Sequence, residues 1–395
     1  MKVLLLSCST GEGHNSAAKA VCETLTANGV ECEIKDPVSF NHEKSPKRVA
    51  KAYNNLIKKA PAAFGAVYKI GACYEATRLP SPIYSLNAKY AEKLNNYIVE
   101  NKFDAVVTSH LYGMEALTAI KRAHPDHVPF FGIITDYTVI PFTRDTDLDE
   151  YFIPHSDLII DFEKKKMRVD NLIATCIPVS PRFRTEISKE DARRTLGLPV
   201  DKKIVLIMSG GVGCESINPL VRMFRKEGVK PDRFYCVLAG NNEKLKNKIT
   251  KTCPKEGVVA VGFTDKVHLY LKAADVVISK SGGLSSTEVA VAGVPVVHFK
   301  PIPGCETYNA RFFHAKNMSQ LAKNAQGALE KAEKLLDNEK ERVKMVEAQR
   351  AEINRYGADD IARLVIEKCS ASRGSAEETP STSREAAPDD NAKSE

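Results

Sequence analysis

The chain has 395 residues, a formal net charge of +7 and ten cysteines. This length predicts two domains, and no apolar run approaches the ~20 residues that a transmembrane helix needs. The cysteines show neither a CxxC pair nor a Cys/His ligand spacing. This pattern argues against a structural zinc site and for a cytoplasmic chain with reduced thiols.

The N-terminal segment combines a buried strand with a glycine turn. Met1–Ser7 predicts the strand, and Thr10–His14 predicts a turn into a helix that starts near Asn15. His14 then stands at a helix N-terminus beside the carboxyl edge of the sheet, where a lowered pKa favours the neutral imidazole that a general base requires. His14 is therefore a candidate catalytic residue, and the alternative is a capping histidine in an exposed turn. A second strand is predicted at Glu31–Lys35.

The stretch Lys44–Tyr74 contains basic residues and no acidic residue. Apolar residues recur there at helical spacing, which is typical of a helix that lies in a membrane interface. Anionic lipids would add about 1 kcal/mol of attraction per basic residue. The alternative is a solvated basic face on a helix packed against the core. The candidate membrane and acceptor residues in this stretch are Lys47, Arg48, Lys51, Tyr53, Leu56 and Lys58.

Two polar residues follow predicted strands in the first half of the chain. The strand Ala105–Ser109 ends at His110, and the strand Phe130–Thr135 ends at Asp136. Ligands of open α/β sheets bind at the carboxyl ends of the strands, so Asp136 is a second candidate catalytic residue and His110 a candidate acceptor contact. Ile177–Pro181 predicts a rigid linker between an N-terminal domain (1–176) and a C-terminal domain (177–345).

The second half repeats the alternation of strands and helices, which predicts a parallel sheet with helices on both faces. Strands are predicted at Ile204–Met208, Arg233–Ala239 and Val258–Val261. Candidate ligand contacts follow the first and third of these strands: Gly210, Gly211 and Gly213 against a diphosphate or a sugar, and Phe263 and Thr264 against a base.

The stretch from Val276 to Arg311 carries the most specific signal. A short buried strand, Val276–Ile278, breaks at a pair of glycines, and Glu288 opens the helix that follows. A glycine turn that feeds a helix start binds anions, because unpaired N–H groups and the helix dipole converge there. A carboxylate in that helix suits a ribose diol, so the expected ligand is a nucleotide diphosphate. The alternative is an ordinary βα turn with Glu288 as a first-turn helix acid. The candidate donor-binding residues are Ser281, Gly282, Gly283, Leu284, Ser285, Glu288, Pro303, Gly304, Cys305, Glu306 and Asn309.

The C-terminal part of the chain is charged. Ala328–Arg355 and Ala358–Lys368 predict helices. From Ser370 the sequence consists largely of Ser, Glu, Pro, Ala and Asp without an apolar period, which predicts a disordered tail (370–395).

Four segments of this sequence resemble one known family. SKSGGLSSTEVAVAGVPVVHFKPIPGCETYNARFF resembles the donor-binding block of family-28 glycosyltransferases and is most similar to that of monogalactosyl- and glucosyl-diacylglycerol synthases. CSTGEGHNSAAKA resembles the glycine-rich loop and histidine of the same family, and TDYTVIPF and IPVSPRF are also similar to family segments. The resemblance implies an α/β fold of the GT-B type, in which two Rossmann-like domains with parallel sheets face each other across a cleft. It also implies C-terminal helices (346–369) that return to the first domain.

The resemblance implies an inverting transfer of a hexose from a UDP-sugar to diacylglycerol or a related membrane lipid. The partners would be the UDP-hexose, the lipid and an anionic membrane surface on the cytoplasmic face, with no bound cofactor and no nucleic acid. The donor-binding block has no metal motif of the DxD type, so the helix start after Gly283 would stabilise the departing diphosphate. Glu288 would bind the ribose hydroxyls, and Glu306 and Asn309 would hold sugar hydroxyls.

Either His14 or Asp136 would take the proton of the acceptor hydroxyl. Cys305 stands where many relatives have glutamine, and a thiol is a poor hydrogen-bond partner, so sugar selectivity could be relaxed or shifted.

Three alternative functions stay open at this point: a lipid-linked cell-wall transferase that uses UDP-N-acetylglucosamine, a sugar-nucleotide 2-epimerase, and a non-catalytic nucleotide-sugar sensor.

Overall fold

A computed structural model describes residues 1–8, 12–51, 65–66, 70–71, 73–75, 77, 81–210 and 217–377. The strands in these ranges form two parallel sheets of six strands each, one in each half of the chain. The two parallel sheets predicted from the sequence are thereby confirmed. None of the helices in the described ranges is both long and apolar enough to cross a bilayer.

The first sheet has the strand order β2-β1-β3-β4-β5-β6. Its strands are β1 (Lys2–Leu6), β2 (Glu31–Lys35), β3 (Ala105–Thr108), β4 (Phe130–Ile133), β5 (Glu150–Ile153) and β6 (Leu172–Ala174). The helices between them include α1 (Glu12–Ala27), α2 (Tyr84–Ala88), α3 (Ala91–Glu100), α4 (Leu111–Ala123) and α5 (Ile159–Lys164). Residues 45–51 are also helical.

The second sheet has the strand order β12-β11-β10-β7-β8-β9. Its strands are β7 (Lys203–Met208), β8 (Arg233–Leu238), β9 (Val258–Val261), β10 (Val276–Ser279), β11 (Val296–Phe299) and β12 (Gln320–Ala322). The helices of this half are α6 (Lys189–Leu196), α7 (Asn218–Glu227), α8 (Glu243–Thr252), α9 (Val267–Ala273), α10 (Gly283–Ala292), α11 (Cys305–Ala315), α12 (Ala325–Asp337), α13 (Glu339–Glu352) and α14 (Gly357–Glu377).

The central strands are apolar on both faces. Every residue of β3 and of β10 is buried. Alternate residues of β1 join separate cores, with Leu4 and Leu6 in one cluster and Val3 and Leu5 in another. Parallel strands covered on both faces read as continuous apolar runs, and this is why the sequence predicts them.

The C-terminal helix α14 packs on the first sheet. Ile361, Ala362 and Val365 of α14 lie in the same buried cluster as Val3 and Leu5 of β1. The chain therefore crosses back from the second half and completes the core of the first.

Several elements differ from the sequence-based expectation. The sequence does not predict β5, β6 and β12, because β6 and β12 have only three residues and β5 has only three apolar ones. The helix predicted at Ala328–Arg355 breaks at Asn338, whose side-chain oxygen accepts the Glu341 N–H at 3.1 Å and caps α13. The last helix continues to Glu377, past the predicted start of the tail at Ser370, because a helix once nucleated extends at little cost.

The helix that follows β10 starts earlier than predicted. It begins at Gly283 rather than at Glu288, with Gly282 as its N-terminal cap residue. Glu288 therefore lies more than one turn inside α10 and is not a first-turn acid.

Tyr137 joins the two halves of the molecule. Its ring is 2% exposed and stacks on Phe312 of α11, with the ring centroids 4.8 Å apart. Its hydroxyl lies 2.8 Å from the hydroxyl of Thr287 in α10, and its backbone N–H donates to Asn309 Oδ1 at 2.7 Å. The segment after β4 is thus inserted between α10 and α11 of the second half.

The two halves also meet at the glycines of two helix starts. A Cβ atom at Gly283, the first residue of α10, would overlap the Thr135 carbonyl oxygen and lie 3.1 Å from Ile177 Cδ1. A Cβ atom at Gly13, the second residue of α1, would lie 3.8 Å from Leu284 Cβ, an ordinary contact distance. Only the first position therefore requires glycine on steric grounds.

We expect Gly283→Ala to destabilise the protein by about 1–3 kcal/mol, because the added methyl group forces the two halves apart. Gly13→Ala is the matched control, since it adds the same methyl group to the first turn of a helix at the same interface without a clash. The midpoints of denaturant unfolding of the two variants measure the difference. Equal midpoints would contradict the close approach of Gly283 and Thr135.

Candidate active site

A cavity of about 710 Å³ lies between the two halves of the molecule. Its wall combines the start of α1 and the segment after β4 with the start of α10 and the loop before α11. Many residues predicted from the sequence line it: His14, Asp136, Gly210, Phe263, Thr264, Gly282, Gly283, Leu284, Ser285, Glu288, Cys305 and Glu306.

Other predicted residues lie elsewhere. Gly211, Gly213, Tyr53, Leu56 and Lys58 fall outside the described residues. Lys47, Arg48 and Lys51 are exposed on the helical segment 45–51. The remaining predicted residues, His110, Ser281, Pro303, Gly304 and Asn309, are not part of the cavity wall.

His14 is held in one tautomer by the backbone. Its Nδ1 lies 2.7 Å from the Ser109 carbonyl oxygen and 3.1 Å from the Thr135 hydroxyl. Because a carbonyl can only accept a hydrogen bond, Nδ1 carries the proton and Nε2 keeps its lone pair. Burial lowers the pKa of His14, so the ring is neutral near pH 7. The sequence anticipated a neutral imidazole, but the main physical cause is desolvation and not the helix dipole.

His110 supports His14 from behind. It is the N-terminal cap residue of α4, and its Nδ1 accepts the Tyr112 N–H at 3.2 Å. Its ring packs edge-on against the His14 ring, with the centroids 4.6 Å apart. Burial, together with the neighbouring His14, keeps the pKa of His110 well below its usual value. These contacts fit a residue that positions His14 better than the acceptor contact predicted from the sequence.

Asp136 is a carboxyl group with perturbed acidity. Its Oδ1 accepts a hydrogen bond of 2.7 Å from Asn309 Nδ2, and the Cys305 thiol donates a second one. Burial raises the pKa of Asp136 to about 6, despite the opposing effect of the Asn309 bond. Asp136 is therefore largely ionised at neutral pH and could accept a proton.

The side chain of Asn309 forms its hydrogen bonds with other residues of the protein. It is 0% exposed, its Oδ1 accepts from the Tyr137 N–H, and its Nδ2 donates to Asp136 and, at 3.1 Å, to the Ser281 carbonyl oxygen. This arrangement leaves no amide hydrogen for a ligand. In this arrangement Asn309 fixes Asp136 against the second half, and its contact with a sugar hydroxyl stays a prediction.

Glu288 differs from Asn309, because it has no described hydrogen-bond partner in the protein. It lies on the cavity wall and makes no hydrogen bond or ion pair with any residue in the described ranges. Burial alone raises its pKa to about 8. Glu288 is half-buried and its carboxyl oxygens remain accessible from the cavity, so they can accept hydrogen bonds from a ligand with hydroxyl donors.

Lys280 lines the cavity although the sequence analysis does not predict it as a site residue. It follows β10 directly, lines the cavity and forms an ion pair with Glu306. Its side chain crosses Gly210, where a Cβ atom would lie 2.7 Å from Lys280 Cε and where φ is +79°. The cation therefore lies beside the start of α10, and both would attract an anion. In the sequence, the position of Lys280 just before the glycine pair is the signal that indicates a role in anion binding.

The loop before α11 shapes this corner. Glu306 also accepts the Ile302 N–H at 2.8 Å, and the Ser281 hydroxyl donates to the Glu306 carbonyl at 2.6 Å. Gly304 has a φ of +118°, a region that favours glycine. A Cβ atom at Gly65 would lie 2.5 Å from Pro303 Cβ. Ser281, Pro303 and Gly304 thus position the loop, while Cys305 and Glu306 reach the cavity.

The mouth of the cavity carries an exposed aromatic ring. Phe263 is 64% exposed although it is large and apolar, and Thr264 lies beside it on the wall. An exposed ring at a cavity mouth can stack on a flat ligand group. Arg182, which follows the interdomain linker and also lines the cavity, pairs with Glu23 of α1 at 3.4 Å.

Two family matches divide the chain at the linker. Residues 14–179 match the family described as monogalactosyldiacylglycerol (MGDG) synthase, and residues 188–352 match the family described as glycosyl transferases group 1. Full-length relatives are named processive diacylglycerol beta-glucosyltransferase. That of Bacillus thuringiensis (strain Al Hakam) is 25% identical over 379 residues, 93% of this chain and 94% of that protein. That of Bacillus pumilus (strain SAFR-032) is 23% identical over 386 residues, 93% and 95% of the two chains.

Solved structures show the same fold. Acinetobacter baumannii MurG superposes with a TM-score of 0.61 at 16% identity, covering 93% of this chain and 99% of that one. The UDP-GlcNAc 2-epimerase of Neisseria meningitidis bound to UDP-GlcNAc gives a TM-score of 0.58 at 14% identity, covering 94% and 100%. This protein thus has the GT-B fold, and its two halves match the monogalactosyldiacylglycerol synthase family and the group 1 glycosyl transferase family in turn.

Proposed function

We propose that this protein transfers a hexose, glucose or galactose, from a UDP-sugar to the free hydroxyl of diacylglycerol, with inversion at the anomeric carbon. The observation that carries the proposal is one cavity with two complementary groups. Glu288, a half-buried carboxyl without described protein partners, is contributed by the second half. His14, a neutral imidazole whose Nε2 has no partner among the described residues, is contributed by the first. The names of the full-length relatives support the lipid acceptor.

The donor would lie along the second half of the cavity. Phe263 would stack on the uracil ring, and Glu288 would accept hydrogen bonds from the ribose hydroxyls. The start of α10 and Lys280 would face the diphosphate, where unpaired N–H groups and a cation stabilise negative charge. Several solved structures of the same fold contain UDP or a UDP-sugar, which supports this placement.

In the proposed reaction, the acceptor oxygen attacks the anomeric carbon while the bond from that carbon to the β-phosphate oxygen breaks. The bonding electrons leave with UDP. The acceptor proton passes to His14 Nε2, because Nδ1 already carries a proton and donates to the Ser109 carbonyl. Asp136 has a pKa of about 6 and is the second candidate for the base.

The assay that tests the proposal offers UDP-glucose or UDP-galactose with diacylglycerol in vesicles and identifies the lipid product by mass spectrometry. A hexosyl-diacylglycerol is the expected product. Transfer only from UDP-N-acetylglucosamine, or isomerisation of a UDP-sugar without lipid, would replace the proposal with one of the alternative functions. Binding of UDP without any turnover would indicate a sensor.

We expect His14→Ala to reduce kcat in this assay by about 10²–10⁴-fold, the usual contribution of general-base assistance. UDP affinity should change little, because the donor contacts lie on the other half. Asp136→Asn is the comparison, and in wild type a fall of kcat/KM below about pH 6 would follow the protonation of Asp136. Full activity of His14→Ala together with an inactive Asp136→Asn would assign the base to Asp136, and two active variants would contradict the assignment of the cavity.

We expect UDP binding to release a proton from Glu288 at pH 7. With a pKa of about 8 the free protein holds Glu288 mostly protonated, while ribose hydroxyls favour the carboxylate. Calorimetry at one pH in buffers of different ionisation enthalpy measures this release. Glu288→Gln should abolish the release and weaken UDP binding at least several-fold, since a hydrogen bond to a charged group contributes about 1.5–3 kcal/mol.

The same group affects stability without UDP. Because the folded pKa is raised, the contribution of Glu288 to stability is present below its unfolded pKa of about 4.3 and is lost as the pH rises through about 8. Wild type should therefore lose stability relative to Glu288→Gln over this window. Parallel stability curves would contradict the raised pKa of Glu288, and unchanged UDP binding by the variant would remove Glu288 from the donor site.

We further propose that the segment around 45–51 contacts an anionic membrane surface, because Lys47, Arg48 and Lys51 are exposed on one short helical stretch. Reversing all three to Glu should weaken sedimentation with anionic vesicles at least a hundredfold, at about 1 kcal/mol per basic residue, while UDP affinity is retained. The matched control reverses three exposed lysines of the second half, Lys244, Lys251 and Lys255. Equal losses in both variants would indicate only a general charge effect.

A further inference from the structure

A second cavity, of about 440 Å³, shares no residue with the cavity between the halves. It lies at the C-terminal end of α10, whose N-terminal end faces the first cavity. The polar residues on its wall are Glu186, Ser188, Lys272, Arg350 and Arg355. We call it the hinge pocket.

The hinge pocket is built from both connections between the two halves. Glu186 and Ser188 follow the linker, and Arg355 lies where the chain crosses back between α13 and α14. The two connections are joined to each other, because Arg184 and Arg355 each donate to the other's carbonyl oxygen at 3.4 Å. Arg184 also pairs with Asp359 of α14. An occupant of this pocket would therefore contact both crossings.

The charge around the hinge pocket is unbalanced. Lys272, Arg350 and Arg355 contribute three positive charges, against one negative charge from Glu186. None of the three cations forms a salt bridge within the described part of the chain, where other lysines and arginines commonly do. Burial, together with the neighbouring Arg355 and Arg350, lowers the pKa of Lys272. The cations thus repel one another with little compensation.

The end of α10 explains only one of these cations. Lys272 Nζ donates to the Ala292 carbonyl oxygen at 3.3 Å, as expected for a cation at a helix C-terminus. Arg350 is exposed and makes no hydrogen bond to any described residue, and the buried Nε of Arg355 has no hydrogen-bond partner among the described residues. The Arg350 guanidinium on the pocket wall is therefore available to an anion in the pocket, to which it can donate charge-assisted hydrogen bonds.

We propose that the hinge pocket binds a phosphate group. Guanidinium groups match the planar spacing of phosphate oxygens and bind them with charge-assisted hydrogen bonds, and Lys272 adds a point charge. The phosphate group could belong to a soluble phosphate or to the headgroup of an anionic phospholipid. The inference does not depend on the proposed transfer reaction, because it concerns a separate set of residues.

The test titrates inorganic phosphate into the full-length protein by calorimetry, with UDP present at saturation so that the other cavity is occupied. Arg350→Gln should weaken phosphate binding about tenfold. Glu186→Gln should tighten phosphate binding about threefold, since the substitution removes an exposed negative charge that repels the phosphate. Arg222→Gln, an exposed arginine of α7, is the control and should change nothing. Phosphate binding that ignores Arg350 and Glu186 would overturn the proposal.

A second arm separates the two sources of the phosphate group. The same variants are sedimented with phosphatidylcholine vesicles with and without phosphatidylglycerol. Dependence on Arg350 and Glu186 with these vesicles, but no binding of inorganic phosphate, assigns the pocket to a lipid headgroup. Independence of both residues in both arms would overturn the proposal. A protein that binds phosphate in this manner but transfers no hexose would contradict only the proposed function.

Discussion

The insertion of the segment after β4 between α10 and α11 determines the geometry of the site. Tyr137 carries this insertion, because its ring, its hydroxyl and its backbone N–H all contact the second half. The residue before it, Asp136, is thereby brought against Asn309 and Cys305. The carbonyl of Thr135 in turn limits α10 to a glycine at its first position. One buried aromatic side chain thus sets the distance between the two walls of the cavity.

The insertion of this segment also explains why the polar residues at the cavity have different roles. Asn309 and Ser281 are buried and fully engaged with the protein, whereas Glu288 has no described partner. Because polar groups in a protein are satisfied by protein or by a ligand, this contrast separates residues that shape the cavity from Glu288, whose carboxyl group can bind a ligand. Sequence position alone does not distinguish them, since all three lie within one segment of the chain.

The sequence predicts the sheets well where the strands are continuous apolar runs. β9 coincides with its predicted range, and β1, β3 and β10 differ at their ends only. The range of β2 is also predicted correctly, although three of its five residues are charged. It fails at β6 and β12, where three residues carry no periodic signal. At the site, the glycine turns and Glu288 follow from spacing. The roles of Asn309, Lys280 and His110 do not, because each depends on a contact between segments far apart in the chain.

The partner of His14 has a consequence for the fate of the proton. The ring is oriented by the carbonyl of Ser109, a neutral group, and within the described residues no carboxylate bonds to it. An imidazolium formed there would be desolvated without a counter-anion to stabilise it. Such a site stores a proton poorly. In the proposed reaction the proton would have to leave the ring in each cycle, and the opening of the cavity to water as the products depart is the natural occasion.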